Sequence, residues 1–270
     1  MENMEYENIN ILDSEKSEKY RRNSSGKKLL IKKKPWRERR QERKEKRNTP
    51  PLWIREPDCC PHIVETFRSF ANQIILFQEE KKVKTVMVTG ADDKVGTSTI
   101  AFNLALIMSK GMPDRRVLII DTNLERPSLH LAFNHTISNG LAEYLLGEKA
   151  LGAVIQPTFL GNLDIIPFIP MNDEIMSPFS LPRFTQLLDE VRSYYDIIFL
   201  DSASALKSSH TKRVSSKVDG VVLVVEANRT RFEVLQELSH QLDAQGANVL
   251  GSFLNKRKYY VPQWIYRYLF

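Results

Sequence analysis

The chain has 270 residues, 42% apolar and 27% charged, enough for one sizeable α/β domain plus a tail, and no apolar run is long enough to span a bilayer. Its net charge of +6 is lopsided: residues 1–50 carry 16 Lys and Arg against 9 Asp and Glu, leaving 23 basic and 24 acidic residues for the rest. The body is therefore close to neutral, which argues against a nucleic-acid groove in it.

Residues 1–10 are acidic and polar and lack the basic-then-apolar order of a secretory signal. The two cysteines, Cys59 and Cys60, are adjacent and badly placed to bridge each other, so a reducing, cytoplasmic setting is expected. Residues 1–56 read as a disordered basic tail with too little apolar surface to bury. Inside it, residues 27–47 form a dense basic run with Leu29, Leu30, Ile31 and Trp36 among the charges. Such a run either attaches to an anionic surface (inner-leaflet lipid, a polyanion or an acidic partner) or is a solvated linker.

Pro50, Pro51, Pro57 and Pro61 mark the junction with a single domain over 57–270. Ile63, Phe67, Phe70, Ile74, Ile75 and Phe77 recur at helical spacing. Apolar strand segments follow at 85–89, 117–121, 163–166, 196–201, 220–226 and 249–254. Helix-length segments fall at 98–109, 140–146, 182–192 and 231–245, with a short one at 262–269. This alternation predicts an α/β fold with a doubly wound, mostly parallel sheet.

The first of these strands runs into Gly90-Ala91-Asp92-Asp93-Lys94-Val95-Gly96-Thr97-Ser98-Thr99 and then into a helix pattern. Strand, tight loop and helix N-terminus is the layout that cradles phosphates with backbone N–H groups. Against the full motif G-x-x-x-x-G-K-[ST], Gly96 and Ser98 are in register, Ser98 at the Mg²⁺-ligating position. The lysine position is Thr97 and the leading glycine is Ala91, so the loop alone fails the motif; a short Gly/Ser/Thr turn is also an ordinary helix cap. Two further strands, VLIID and IIFLD, end in Asp121 and Asp201. Acids at such strand ends border the ligand crevice and can hold Mg²⁺ or its water shell, or they can cap the next turn.

The segment VLIIDTNLERPSLH, residues 117–130, resembles the second Walker-type motif of the bacterial tyrosine kinases of exopolysaccharide synthesis. Those kinases belong to the deviant-Walker P-loop group, with the septum-site and partition ATPases. Other segments resemble the family in order: IVETFRSFANQ (63–73) its E-x-x-R helix, Gly140-Leu141 with Tyr144-Leu145 its G-L-x-x-x-L segment, and YDIIFLD (195–201) its Walker B strand. The strand at 218–225 and Leu250-Gly251-Ser252-Phe253-Leu254-Asn255 complete the set. The resemblance implies ATP or ADP with Mg²⁺ as ligands, held by Lys94, Val95, Gly96, Thr97, Ser98, Thr99 and the base-contacting Asn255. It implies metal ligation by Ser98, Asp121 and Asp201, the two acids also serving catalysis.

The departures fall on the charges. Thr97 replaces the Walker lysine, and the group's second lysine falls at Asp92, with Lys94 at neither place. Asn123 replaces the second acid of D-x-D, Ser202-Ala203-Ser204 replaces the prolines after Asp201, and Ala71 replaces the last arginine of E-x-x-R-x-x-R. Losing a charge-assisted phosphate contact costs about 1.5–3 kcal/mol, or about tenfold to over a hundredfold in affinity. Asp92 and Asp93 are expected to add repulsion, so nucleotide binding or catalysis is expected to be weak.

The family often ends in phosphorylated tyrosines, and Tyr259, Tyr260, Tyr266 and Tyr268 stand in YYVPQWIYRYLF. They read either as phosphoacceptors or, because the segment is so apolar, as a docking element. The resemblance implies a cytoplasmic subunit, peripheral at the inner membrane face, that self-associates and works with a membrane-anchored polysaccharide chain-length or co-polymerase protein. A non-catalytic scaffold and a septum- or partition-type positioning ATPase are the alternatives.

Overall fold

The computed structural model describes residues 19–22, 28–31, 61–132, 139–169 and 181–257. In the tail, β1 (Lys19–Arg22) pairs antiparallel with β2 (Lys28–Ile31), Tyr20 opposite Leu30. The rest of the basic run, Cys59 and Cys60, the segment at 262–269 and all four C-terminal tyrosines lie outside the described residues.

The domain starts with α1 (Pro61–Lys81), followed by β3 (Thr85–Gly90), α2 (Thr97–Gly111) and β4 (Val117–Asp121). After α3 (Leu141–Leu146) and α4 (Leu151–Val154) come β5 (Gln156–Pro157) and β6 (Leu163–Ile166). The second half runs α5 (Leu181–Arg192), β7 (Ile197–Asp201), α6 (Ser209–Ser215), β8 (Gly220–Glu226), α7 (Phe232–Asp243) and β9 (Val249–Asn255). The strands form one sheet in the order β5-β6-β4-β7-β3-β8-β9, parallel throughout except for β5 against β6. Every residue of β3, β4 and β7 is buried, which is why these strands read as unbroken apolar runs: helices cover both faces.

One face packs Phe184, Leu187, Leu188 and Leu238 against the sheet; the other packs Ile100, Phe102, Leu104 and Met108 of α2. Fully burying each such side chain contributes about 1.5–3 kcal/mol before entropy is counted. Phe253 of β9 stacks between Phe67 and Phe70 of α1, at 5.1 and 5.3 Å between ring centroids, and so fixes the strand that ends in Asn255. Ala71 is buried against this same layer, while Glu65 and Arg68 are exposed and 4.0 Å apart.

At the N-terminal end of the sheet, Asp219 accepts hydrogen bonds from the N–H groups of Lys84 and Thr85 and from the Thr85 hydroxyl. Arg192 Nη2 lies 2.7 Å from its other oxygen. The opposite end is the switch point. From β3 the chain crosses to β4 on one side, and from β7 it crosses over to β8 on the other, which opens a crevice above the end of β3.

The α/β reading holds, with strand boundaries within a residue of expectation. The β1–β2 pair of the tail and the 3-10 turn at Leu129–Ala132 had no place in it, nor did three further elements of the domain. β5 is a two-residue antiparallel edge that ends in Pro157, tolerated there because an edge leaves one side of the strand unpaired. α4 spans one turn, and α6 is short and polar, capped by Ser208, whose hydroxyl accepts the Thr211 N–H at 3.3 Å. Among the described residues no helix is long and apolar enough to cross a membrane.

Candidate nucleotide site

β3 delivers Gly90 to the crevice, and the chain turns through Lys94 at φ 61° and Gly96 at φ 101° into α2. The glycine at 96 is required twice. Its backbone lies in the left-handed region, and a Cβ there would run into the side-chain amide of Asn255. The first bond of α2 runs from the Ile100 N–H to the Gly96 carbonyl at 3.0 Å. The N–H groups of Thr97, Ser98 and Thr99 therefore precede the helical ladder and face the crevice with the positive end of the helix dipole. Val95 is buried, and its carbonyl accepts the Asn255 amide at 2.8 Å. The Asn255 carbonyl oxygen accepts the N–H of its own neighbour Lys256, which orients the amide so that its nitrogen end braces the loop.

Asp121 and Asp201 are register partners on β4 and β7, and neither is exposed. Asp121 accepts three backbone N–H bonds, each 3.1 Å long, from Asn123, Ser128 and Leu129, and thereby folds the following loop back over the strand end. It combines the turn-capping role with the carboxylate pair. Neither oxygen of Asp201 has a hydrogen-bond partner among the described residues. Burial first, and then the charge of Asp121, push Asp201 well above the ordinary carboxylate range; the hydroxyls of Ser98 and Thr97 stand near enough to draw it back without a well-directed bond. Burial likewise pushes Asp121 up, against the pull of its three N–H donors. Asn123 accepts the Arg126 N–H at 3.1 Å and leaves the pair without a third acid.

The segment after Asp201 is fastened to the phosphate loop. The Thr89 hydroxyl donates to the Ala203 carbonyl at 2.6 Å, and the Ala205 N–H donates to the Gly90 carbonyl at 3.0 Å. The Ser204 hydroxyl donates to the Ala91 carbonyl at 2.8 Å, so the serine in place of a proline stitches the two loops together. Asp92 and Asp93 are not bare charges. Lys207 Nζ lies 2.8 Å from Asp92 and 3.2 Å from Asp93, and this lysine holds the Asp92 carboxyl below its usual range. Lys256 Nζ bonds the Lys94 carbonyl and reaches Glu226 at 3.1 Å.

The structure thus brings Gly96, Thr97, Ser98, Asp121, Asp201 and Asn255 to one end of the sheet, with Thr99 and Val95 in the loop's frame and Lys94 exposed at its edge. Sequence reasoning missed Lys207 and Lys256. Lys207 stands six residues after the strand-end acid, a position with no motif of its own. Among the described residues no cluster of three or more His, Cys, Asp and Glu is gathered for a metal. The arrangement still suits a hard divalent cation: an unpartnered, fully buried carboxylate faces a hydroxyl at a helix N-terminus.

The AAA domain family AAA_31 matches residues 83–249, the stretch from β3 to the first residue of β9. Tyrosine-protein kinase YwqD of Bacillus subtilis is 26% identical over 194 residues, which cover 72% of this chain and 81% of that protein. Tyrosine-protein kinase etk of Escherichia coli K12 is 28% identical over 217 residues, 80% of this chain; the chain spans only 29% of that relative's length. The solved kinase domain of E. coli tyrosine kinase ETK superposes with a TM-score of 0.65 at 28% identity, covering 74% of this chain and 78% of that one. The AAA-domain match and the kinase relatives together imply nucleotide and Mg²⁺ binding in general.

Proposed function

The chain belongs to the AAA domain family AAA_31, and from that premise we propose that it is a nucleotide-dependent component of exopolysaccharide or capsule synthesis and export, built like a tyrosine autokinase but with weakened phosphate chemistry. The observation that carries this reading is Asp201, fully buried beside Asp121 with no well-directed hydrogen bond and with the hydroxyls of Ser98 and Thr97 close by. A carboxylate so placed is costly unless something cationic completes it. Ser98 and Asp201 would hold Mg²⁺, with Asp121 behind them. When bound, Mg²⁺ would offset the charge of the phosphate oxygens. The N–H groups of Thr97, Ser98 and Thr99 would receive the phosphates, and the Asn255 brace would keep the loop in shape for them.

The weakened chemistry is argued from Thr97, whose hydroxyl offers no charge where a lysine would. A membrane-anchored polysaccharide co-polymerase would be the partner, the basic tail would bring the protein to the inner membrane face, and copies would self-associate. Titration of ATP and ADP with Mg²⁺ by calorimetry, followed by labelling of tyrosine, tests the reading. Micromolar affinity with labelling supports it; no heat at millimolar nucleotide removes it. The same Thr97 favours a second reading, a scaffold whose nucleotide is structural or absent. A wild type that binds Mg-ATP and labels tyrosine rules the scaffold out.

A further inference from the structure

The phosphate loop carries Asp92 and Thr97 where a cation is needed, and Asp93 adds a further acid. A triphosphate entering such a loop meets repulsion unless positive charge arrives from another element. Among the described residues two ammonium groups bond the loop, and the guanidinium of Arg229 acts on Asp92 through its charge without a direct ion pair to it. Lys256 clamps the Lys94 carbonyl and the half-buried Glu226 at its edge. Lys207 differs in what it holds: two carboxylates of the loop itself, Asp92 and Asp93.

The backbone that presents Lys207 is rigid. Ala205 and Ser204 are bonded to Gly90 and Ala91, and the Lys207 N–H donates to the Ser204 carbonyl at 3.2 Å. Beyond that anchor the side chain is flexible and 48% exposed, so its ammonium can swing while its root stays fixed. Its bonds to Asp92 and Asp93 are the kind an ammonium makes to phosphate oxygens, and exposed ion pairs of this sort are weak and exchangeable.

We infer that Lys207 is the phosphate-binding cation of this site, supplied from the loop after Asp201 and held on Asp92 and Asp93 until a polyphosphate displaces them. The inference rests on the nucleotide reading above. It gives the two acids a role opposite to that of the lysine: they compete with the ligand for Lys207.

The test is the affinity of the full chain for Mg-ATP by calorimetry, with the melting temperature of each variant recorded. Lys207→Ala should weaken Mg-ATP by about tenfold or more, the loss of one charge-assisted contact. Lys207→Arg should restore most of it. The double substitution Asp92→Asn with Asp93→Asn should tighten Mg-ATP several-fold, since lysine and loop are both released. A lysine that only pins the loop predicts the reverse for the double variant, which would then bind more weakly, as Lys207→Ala does; that result overturns the inference. So does Lys207→Ala binding within about twofold of wild type, since a charged contact is worth more. If Lys207→Ala does not fold, Lys207→Gln takes its place and is judged by the same limits, because loss of the two acids also relieves repulsion of the triphosphate whatever Lys207 does. A wild type that binds no Mg-ATP at millimolar concentration removes the nucleotide reading and this inference together, whereas wild-type binding unaffected by Lys207→Ala removes only the inference.

Discussion

Asp121 and Asp201 face each other across two adjacent parallel strands at full burial, yet only Asp121 is satisfied, by three backbone N–H groups. Two carboxylates so close and so dry cannot both ionise cheaply. Asp121 is pushed up to about 7, and Asp201 is also raised well above its ordinary value. A raised carboxyl stabilises the fold while it is protonated, and that stability is lost as pH climbs from the ordinary carboxylate range through the folded value. The metal-free protein should therefore melt at lower temperature as pH rises from about 4 to about 7. Mg²⁺ needs the ionised form, so its affinity should rise with pH. Thermal melts in EDTA and in Mg²⁺ across this range check both slopes. Asp201→Asn should make the EDTA curve shallower, leaving the slope that buried Asp121 contributes, and abolish the Mg²⁺ shift; an unchanged Mg²⁺ response would show that Asp201 is not the ligand.

Thr97 stands at the lysine position, at the first turn of α2, partly exposed to the crevice. Thr97→Lys should add one charge-assisted phosphate contact and tighten Mg-ATP by about tenfold to a hundredfold. If Lys207 already fills that role, the gain should be smaller in wild type than in Lys207→Ala. The two lysines then act on one phosphate charge and their effects do not add. Four titrations give the comparison directly.

The fold was largely legible because parallel strands buried on both faces must be apolar throughout, and VMV, VLII and IIFL could be little else. The site was legible only where geometry follows from local order. Strand, glycine and helix place Ser98, and a strand end places Asp121 and Asp201. The pairing of Lys207 with Asp92 joins residues over a hundred positions apart, on exposed loops with no periodicity, and no local pattern encodes it. The expectation that Asp92 and Asp93 act as bare repulsive charges is revised for the same reason. The difference between Asp121 and Asp201 also depends on how the loop after β4 folds back, which the two identical strand-end signals do not reveal.

Asp219 ties the start of β3 to α5 through Arg192, at 2.7 Å, while accepting two backbone N–H groups. Asp219→Ala takes the carboxylate from a partly buried guanidinium, which keeps only the Thr85 hydroxyl, and leaves the two N–H donors without their acceptor. It should lower stability by about 2–3 kcal/mol, the range for losing charge-assisted bonds when a partner stays behind. A shift of the urea midpoint at constant slope measures this. Mg-ATP affinity should not change, because the network lies at the end of the sheet opposite the phosphate loop.

Gly96 and Asn255 form the last testable pair. Gly96→Ala forces a side chain into a left-handed backbone at φ 101° and into the Asn255 amide. The backbone alone costs about 1–2 kcal/mol. The collision adds to it by breaking the 2.8 Å bond from Asn255 to the Val95 carbonyl. In an Asn255→Ala background that second cost is already absent, so Gly96→Ala should be less damaging there. A double-mutant cycle on unfolding free energy should return a coupling of about 0.5–1.5 kcal/mol, the net worth of one hydrogen bond. A coupling of zero would mean that Asn255 does not brace the loop. Its amide would then be free for a nucleotide base, and Asn255→Ala should weaken ATP binding without altering the melting temperature.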